Sequence, residues 1–172
     1  MKLLDYKTWN IKRITKEIAI MGLMVVVIAN VLSYIRQPEL ADSRLPLIKE
    51  RLISGKQFDA ASFDGKPLLI HFWATWCPTC KAEADNIQRL SKYYNVVTFA
   101  VNSGSDADLQ RYMKERGFDY DVINDREGKW AKLFRVQGYP TSFIYDASGQ
   151  LSFSEVGYTS TAGLWFRLWW SN

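Results

Sequence analysis

The sequence predicts an α/β domain, one sheet covered by helices on both faces, behind a single apolar N-terminal helix. Three observations lead there. Leu68-Leu-Ile-His-Phe-Trp-Ala74 is a near-continuous apolar run, the pattern of a strand covered on both faces in a parallel sheet. From that run onward, segments of helical period alternate with short apolar strands, and a hairpin and a last helix close the chain. Ahead of everything, residues 18–35 hold eighteen positions without a charge.

The N-terminal segments come first. Residues 1–17 form a basic leader in which Lys2, Lys7, Lys12, Arg13 and Lys16 face only Asp5 and Glu17. That excess of three leaves +1 of the formal +4 for the rest, so nothing suggests a nucleic-acid-binding face. At about 1.5 Å of rise per residue, residues 18–35 can just cross a bilayer core of roughly 30 Å. A basic leader stays in the cytoplasm, which sends the C-terminal bulk across. A cleaved signal peptide is the alternative, but its apolar region is usually shorter and no Ala-x-Ala site follows. A buried core helix fits the basic flank poorly. Residues 36–57 read as a tether or short helix, with Pro38 and Pro46 against one long helix. Residues 58–172 make the domain, and six of the chain's seven tryptophans and all nine phenylalanines supply large apolar side chains for it.

Within the domain Pro78 suits the first turn of a helix, and Ala84, Ile87, Leu90 and Tyr94 follow at helical spacing. Residues 96–101 are the next strand, completing a βαβ unit. Ser105 reads as a helix start and Gly117 as a stop. A short strand at 120–123 and a short helix at 129–134 follow. Residues 141–145 and 151–156 form a hairpin around Asp146-Ala-Ser-Gly149, and a helix covers 160–170.

Both cysteines of the chain fall in Trp76-Cys77-Pro78-Thr79-Cys80, directly after the first strand. A bridge between them closes a very short loop and adds little stability, so its chemistry is the point. With Pro78 as the first helical residue, Cys77 lies at the N-cap, where free N–H groups and the helix dipole favour thiolate. Cys80 shares its face one turn on and can resolve a mixed disulfide. Cys77 attacks a substrate disulfide; Cys80 then attacks the Cys77–substrate bond and releases reduced product. A structural zinc site needs four ligands, whereas two cysteines and one histidine are present.

Phe72-Trp-Ala-Thr-Trp-Cys-Pro-Thr-Cys80, Val136-Gln-Gly-Tyr-Pro-Thr141 and Asp146-x-x-Gly149 resemble the thioredoxin superfamily over roughly residues 58–170. The nearest likeness is the membrane-anchored TlpA/ResA/DsbE group. The tail from Gly157 to Trp170 is similar to that of suppressor-of-copper-sensitivity D proteins within it. The resemblance implies a thioredoxin-like fold with a central mixed sheet. It also implies that Pro140 is cis and lies against the cysteines, with the Tyr139 backbone pairing an incoming peptide strand. Glu83, three residues after Cys80, matches an acidic residue implicated in proton handling; the alternative is a solvated surface glutamate. His71 stands where thioredoxins proper carry a buried aspartate. It either moves protons, since imidazole titrates near neutrality, or is a neutral core histidine bonded to a neighbour. Asp85 replaces a helix-kinking proline. Trp76 is expected at the substrate surface and Trp73 in the core. In the last helix Trp165, Leu168 and Trp169 are expected to pack on the sheet, leaving Phe166 and Trp170 for a bilayer surface or membrane partner.

The implied activity is that of a single-pass bacterial inner-membrane oxidoreductase with its domain in the periplasm. It would reduce disulfides of specific cell-envelope proteins with electrons from a DsbD-type membrane donor. An oxidant that inserts disulfides is the rival of the same chemistry, and a Cu(I)-binding module the rival of another. No nucleotide, flavin, haem or metal cofactor is implied.

Overall fold

The computed structural model describes residues 6–35, 43–63 and 65–172, in two compact units, Met1–Arg36 and Gln37–Asn172. In the first unit α1 (Tyr6–Ile35) is one helix of 30 residues, with an Arg13–Glu17 ion pair one turn apart. Among the described residues no helix is long and apolar enough to cross a membrane. The uncharged stretch 18–35 falls within α1, and the side chains of 26 and 29–35 lie outside the described residues. So do residues 1–5 of the expected leader and 36–42 of the expected tether.

The second unit is an α/β domain around a mixed five-stranded sheet. Its central strand β3 (Leu68–Trp73) is buried at every position, as its unbroken apolar run requires. α2 (Pro78–Leu90) carries the chain back to β4 (Asn95–Val101), parallel to β3, and α3 (Asp106–Arg116) leads to β5 (Asp121–Asp125), parallel to β4. Ser105 caps α3 through a reciprocal bond pattern with Asp108, and Gly117 ends it at φ 69°, a conformation that glycine adopts without penalty. After the short α4 (Lys129–Leu133), β6 (Thr141–Tyr145) and β7 (Leu151–Val156) add antiparallel strands beside β3. The order is β5-β4-β3-β6-β7.

Alternation along β3 sorts the core into two layers. Leu68, Ile70 and Phe72 face α4 and the segment before β3; their layer holds Phe99, Phe134 and Phe143, with Phe72 stacked on Phe99 at 4.8 Å. Leu69 and Trp73 face the other way, with Ile87 and Leu90 of α2, Leu109 and Met113 of α3, and Leu164 and Leu168 of α5 (Thr161–Trp170).

Two expectations are corrected here. In the span read as a tether or short helix, β1 (Lys49–Arg51) and β2 (Gln57–Asp59) pair antiparallel around a turn at Gly55, φ 89°. Ile48 and Leu52 are buried in the first core layer, so the alternating charges of this stretch line the outside of a ribbon rather than of a helix. Trp165 and Trp169 were expected to pack on the sheet, yet they are 49% and 55% exposed, because Leu164 and Leu168 take the sheet-facing stripe of α5.

Candidate active site

Three connections meet at the end of the sheet where β3 and β4 finish and β6 begins: 74–77, 102–105 and 138–140. Crevices at the carboxyl ends of parallel strands are where α/β sheets present chemistry. Ser103 ties two of them together, its hydroxyl accepting from Thr75 N at 3.0 Å and donating to Val101 O at 2.9 Å.

Cys77 is the N-cap of α2, with extended backbone (φ −85°, ψ 116°) and Pro78 in the first turn. Its Sγ accepts from Cys80 N at 3.2 Å, one of the free amides that a helix start leaves unpaired. The two cysteines form a disulfide across a Cα–Cα distance of 5.3 Å. Both sulfurs are nearly covered, Cys77 at 5% and Cys80 at 3% exposure. Cys77 Sγ also lies 3.5 Å from Tyr139 O; in the disulfide it carries no proton and the approach is a contact, whereas a Cys77 thiol would have that oxygen as an acceptor.

The surroundings are aromatic on one side. The Tyr139–Pro140 bond is cis, so the loop before β6 sets the Tyr139 carbonyl against Cys77. Trp76 is 57% exposed and meets the Tyr139 ring edge-on at 5.7 Å. Its Nε1 donates to Asn102 O at 3.2 Å, and Asn102 holds φ 47°, a left-handed conformation that asparagine tolerates better than most residues. Trp76, Cys77, Cys80, Tyr139 and Pro140 thus come together. Trp73 lies in the core, its indole bonded to Thr98.

Glu83 is completely buried rather than solvated. Its Oε1 accepts from Thr159 N at 3.3 Å, and its Oε2 has no hydrogen-bond partner among the described residues. Burial pushes the carboxyl up to about 8; the Thr159 amide opposes this, and the nearby Glu155 carboxylate adds to it. Glu155 on β7 is itself paired with Arg167 of α5 at 2.7 Å. One turn along α2, Asn86 donates to Thr159 O at 3.0 Å, so Glu83 and Asn86 grip both backbone groups of one residue in the β7–α5 loop.

His71 points into the same core layer from β3, with Nδ1 2.9 Å from Ser142 Oγ on the paired strand β6. Burial lowers its imidazole to about 3, which favours the neutral ring at physiological pH. α2 continues unbroken through Asp85. Among the described residues no group of three or more His, Cys, Asp or Glu side chains could hold a metal ion. Asn86, Ser103, Glu155, Thr159 and Arg167 support the site without any motif to announce them, because only the folded sheet brings them near it.

A Cys-x-x-Cys disulfide that starts at a helix N-cap, beside a cis-proline loop and an exposed tryptophan, defines a site for thiol–disulfide exchange. The comparisons agree. The Redoxin family pattern matches residues 40–163. A thioredoxin-like protein of Haemophilus influenzae is 30% identical over 164 residues, covering 94% of this chain and 97% of that one. The thiol:disulfide interchange protein DsbE of Vibrio cholerae is 34% identical over 105 residues, covering 60% of this chain and 56% of that protein. The crystal structure of a thioredoxin-family thiol:disulfide interchange protein from Chlorobium tepidum shares 29% identity at a TM-score of 0.66, covering 77% of this chain and 98% of that one. The chain belongs to the Redoxin family, among the thioredoxin-like proteins of TlpA/ResA/DsbE type, and is a thiol–disulfide oxidoreductase.

Proposed function

We propose that this protein is a membrane-tethered reductant of protein disulfides, acting in the periplasm from the bacterial inner membrane. The observation that carries the exchange chemistry is the Cys77–Cys80 pair at the start of α2, pressed against the cis Tyr139–Pro140 loop. Cys77 is the attacking sulfur, because the helix start donates to it and stabilises its thiolate. Cys80, behind it, resolves the mixed disulfide. Trp76 and the Tyr139 backbone receive the substrate chain at the exposed side.

Proton traffic falls to Glu83. Cys80 attacks as thiolate, so its proton needs an acceptor, and a buried carboxyl poised near 8 on the same helix face is matched to a thiol of ordinary acidity. His71, held neutral, keeps a structural role. Tethering rests on the sequence: eighteen uncharged residues follow a basic leader, long enough at about 1.5 Å per residue to span a bilayer core of roughly 30 Å. In an oxidising compartment a reductant needs electrons from outside, and a membrane dithiol donor of DsbD type supplies that requirement.

The reduction potential of the full-length protein in detergent, equilibrated in dithiothreitol and glutathione buffers, tests the direction. Relatives by chemistry span roughly −270 to −120 mV. A value near the lower end supports the reductant; one near the upper end makes the protein a disulfide donor. A pair that refuses to cycle, together with Cu(I) binding that survives glutathione competition, would replace redox exchange with metal delivery.

A further inference from the structure

The last helix presents more apolar surface than its packing uses. Leu164 and Leu168 are buried against the sheet, whereas Trp165, Phe166, Trp169 and Trp170 on the opposite side are between 49% and 66% exposed. The Phe166 ring lies 6.0 Å from Trp169 and 6.1 Å from Trp170, so these three form one aromatic cluster, and Trp165, one turn before Trp169, extends its helix face. From Thr161 to Trp170 the only charged residue is Arg167, and it is paired with Glu155. Contiguous exposed aromatics on a folded domain mark a contact surface.

The position of this surface identifies its occupant. β7 starts at the remote end, where Leu151 pairs with Tyr145, and runs toward the cysteines' end, where Val156 pairs with Thr141; α5 returns, so its C-terminal turn lies at the end of the sheet remote from the cysteines. There Trp169 borders a cleft with Lys66 and Pro67, just ahead of β3, and Asn95, which begins β4. The chain also enters the domain at that end. Leu45 N donates to Gly149 O at 2.8 Å and Leu151 N to Ser43 O at 2.7 Å, beside the β6–β7 turn. Between the uncharged stretch, which ends at Ile35, and Ser43 lie only residues 36–42. At no more than about 3.5 Å per residue that link reaches roughly 25 Å, less than a domain's width.

We propose that the aromatic face of α5 (Trp165, Phe166, Trp169 and Trp170) lies in the headgroup layer of the bilayer that the N-terminal segment spans. The inference rests on the tethered reading above. Tryptophan favours the interface, where an apolar ring meets hydrocarbon and its N–H meets water. A tether at the same end of the domain raises the local lipid concentration, so a weak interfacial helix suffices.

The test uses the full-length chain in nanodiscs of phosphatidylcholine and phosphatidylglycerol, with and without bromine on the acyl chains. Trp9→Phe in every sample removes the leader's emission, leaving six tryptophans of which three lie on α5. Brominated lipid is expected to quench the parent, and that loss is expected to shrink severalfold in W165Q/F166Q/W169Q/W170Q. A milder W169Q/W170Q variant, with an intermediate loss, guards against misfolding, and disulfide reduction by both variants reports an intact domain. Equal emission from the parent in both lipids would overturn the proposal, as would two chains per disc with unquenched tryptophans, which would assign the face to a second copy. Alkaline carbonate extraction separates the two readings. A chain that washes off defeats the tether and the inference with it; a chain that stays but is not quenched defeats the inference alone.

Discussion

Replacing Glu83 by glutamine keeps the side chain's size and its acceptor for Thr159 N while removing the titration. With the carboxyl poised at about 8, roughly one molecule in ten has it ionised at pH 7, and roughly nine in ten at pH 9. The step in which Cys80 attacks the mixed disulfide should therefore accelerate through this window. A positioned proton acceptor is worth about 10²-fold or more, so E83Q should slow that step by about this factor and lose the inflection near 8. The assay is stopped-flow oxidation of the reduced protein by glutathione disulfide, followed by Trp76 emission and resolved into attack and resolution. Stability supplies a second reading with its own sign. Because the folded value lies above the ordinary 4.5, the folded state holds a proton that the unfolded chain releases. Stability from this group is full below 4.5 and is lost as pH rises to about 8, at about 1.4 kcal/mol per pH unit, a ceiling of about 5 kcal/mol. E83Q should thus unfold less readily than the parent at pH 8.5, with the two converging near pH 4.5. Matching pH–rate profiles for parent and E83Q, with the resolving step unchanged, would refute the proton-acceptor argument.

Other outcomes follow from the same geometry. His71 is held near 3 when folded against 6.5 when free, so its stabilising effect is complete above 6.5 and disappears as pH falls toward 3; urea titrations should show a slope about 1.4 kcal/mol per pH unit shallower over that window in His71→Gln. Glu155→Gln removes a carboxylate that raises Glu83, so the inflection in the resolving step should move to lower pH; a shift upward would contradict the placement of that charge. Phe72→Ala opens a cavity among Phe99, Phe134 and Phe143 and should cost about 3–5 kcal/mol in denaturant unfolding, while Trp76→Ala, at the exposed rim, should cost far less stability and weaken substrate exchange.

Much of this molecule can be read from its chain, and the exceptions share a cause. β3, α2 and the α3 caps are local: an unbroken apolar run, a proline after the N-cap cysteine, and Ser105 with Gly117 each act within a few residues. The β1–β2 ribbon escaped because charges between Ile48 and Leu52 resemble a helix face until strand pairing fixes the period at two. The exposure of Trp165 and Trp169 escaped because Leu164 and Leu168 compete for the same groove, which tertiary packing alone decides. The burial of Glu83 is likewise invisible in α2, since the cover comes from the β7–α5 loop some seventy residues away. The cysteine motif and the Tyr-Pro-Thr segment were legible separately; only the sheet sets Tyr139 O against Cys77 Sγ.

The division of labour between the two sulfurs is tested most directly by trapping. Cys80→Ser and Cys77→Ser variants, mixed with a disulfide-bonded protein substrate and quenched with acid, would be examined for covalent adducts by mass spectrometry. A stable mixed disulfide through Cys77 in C80S, and none in C77S, is the predicted result, since the N-cap sulfur accepts the Cys80 amide and lies beside Tyr139 O of the cis-proline loop. Adducts through Cys80 in C77S, with none in C80S, would contradict it.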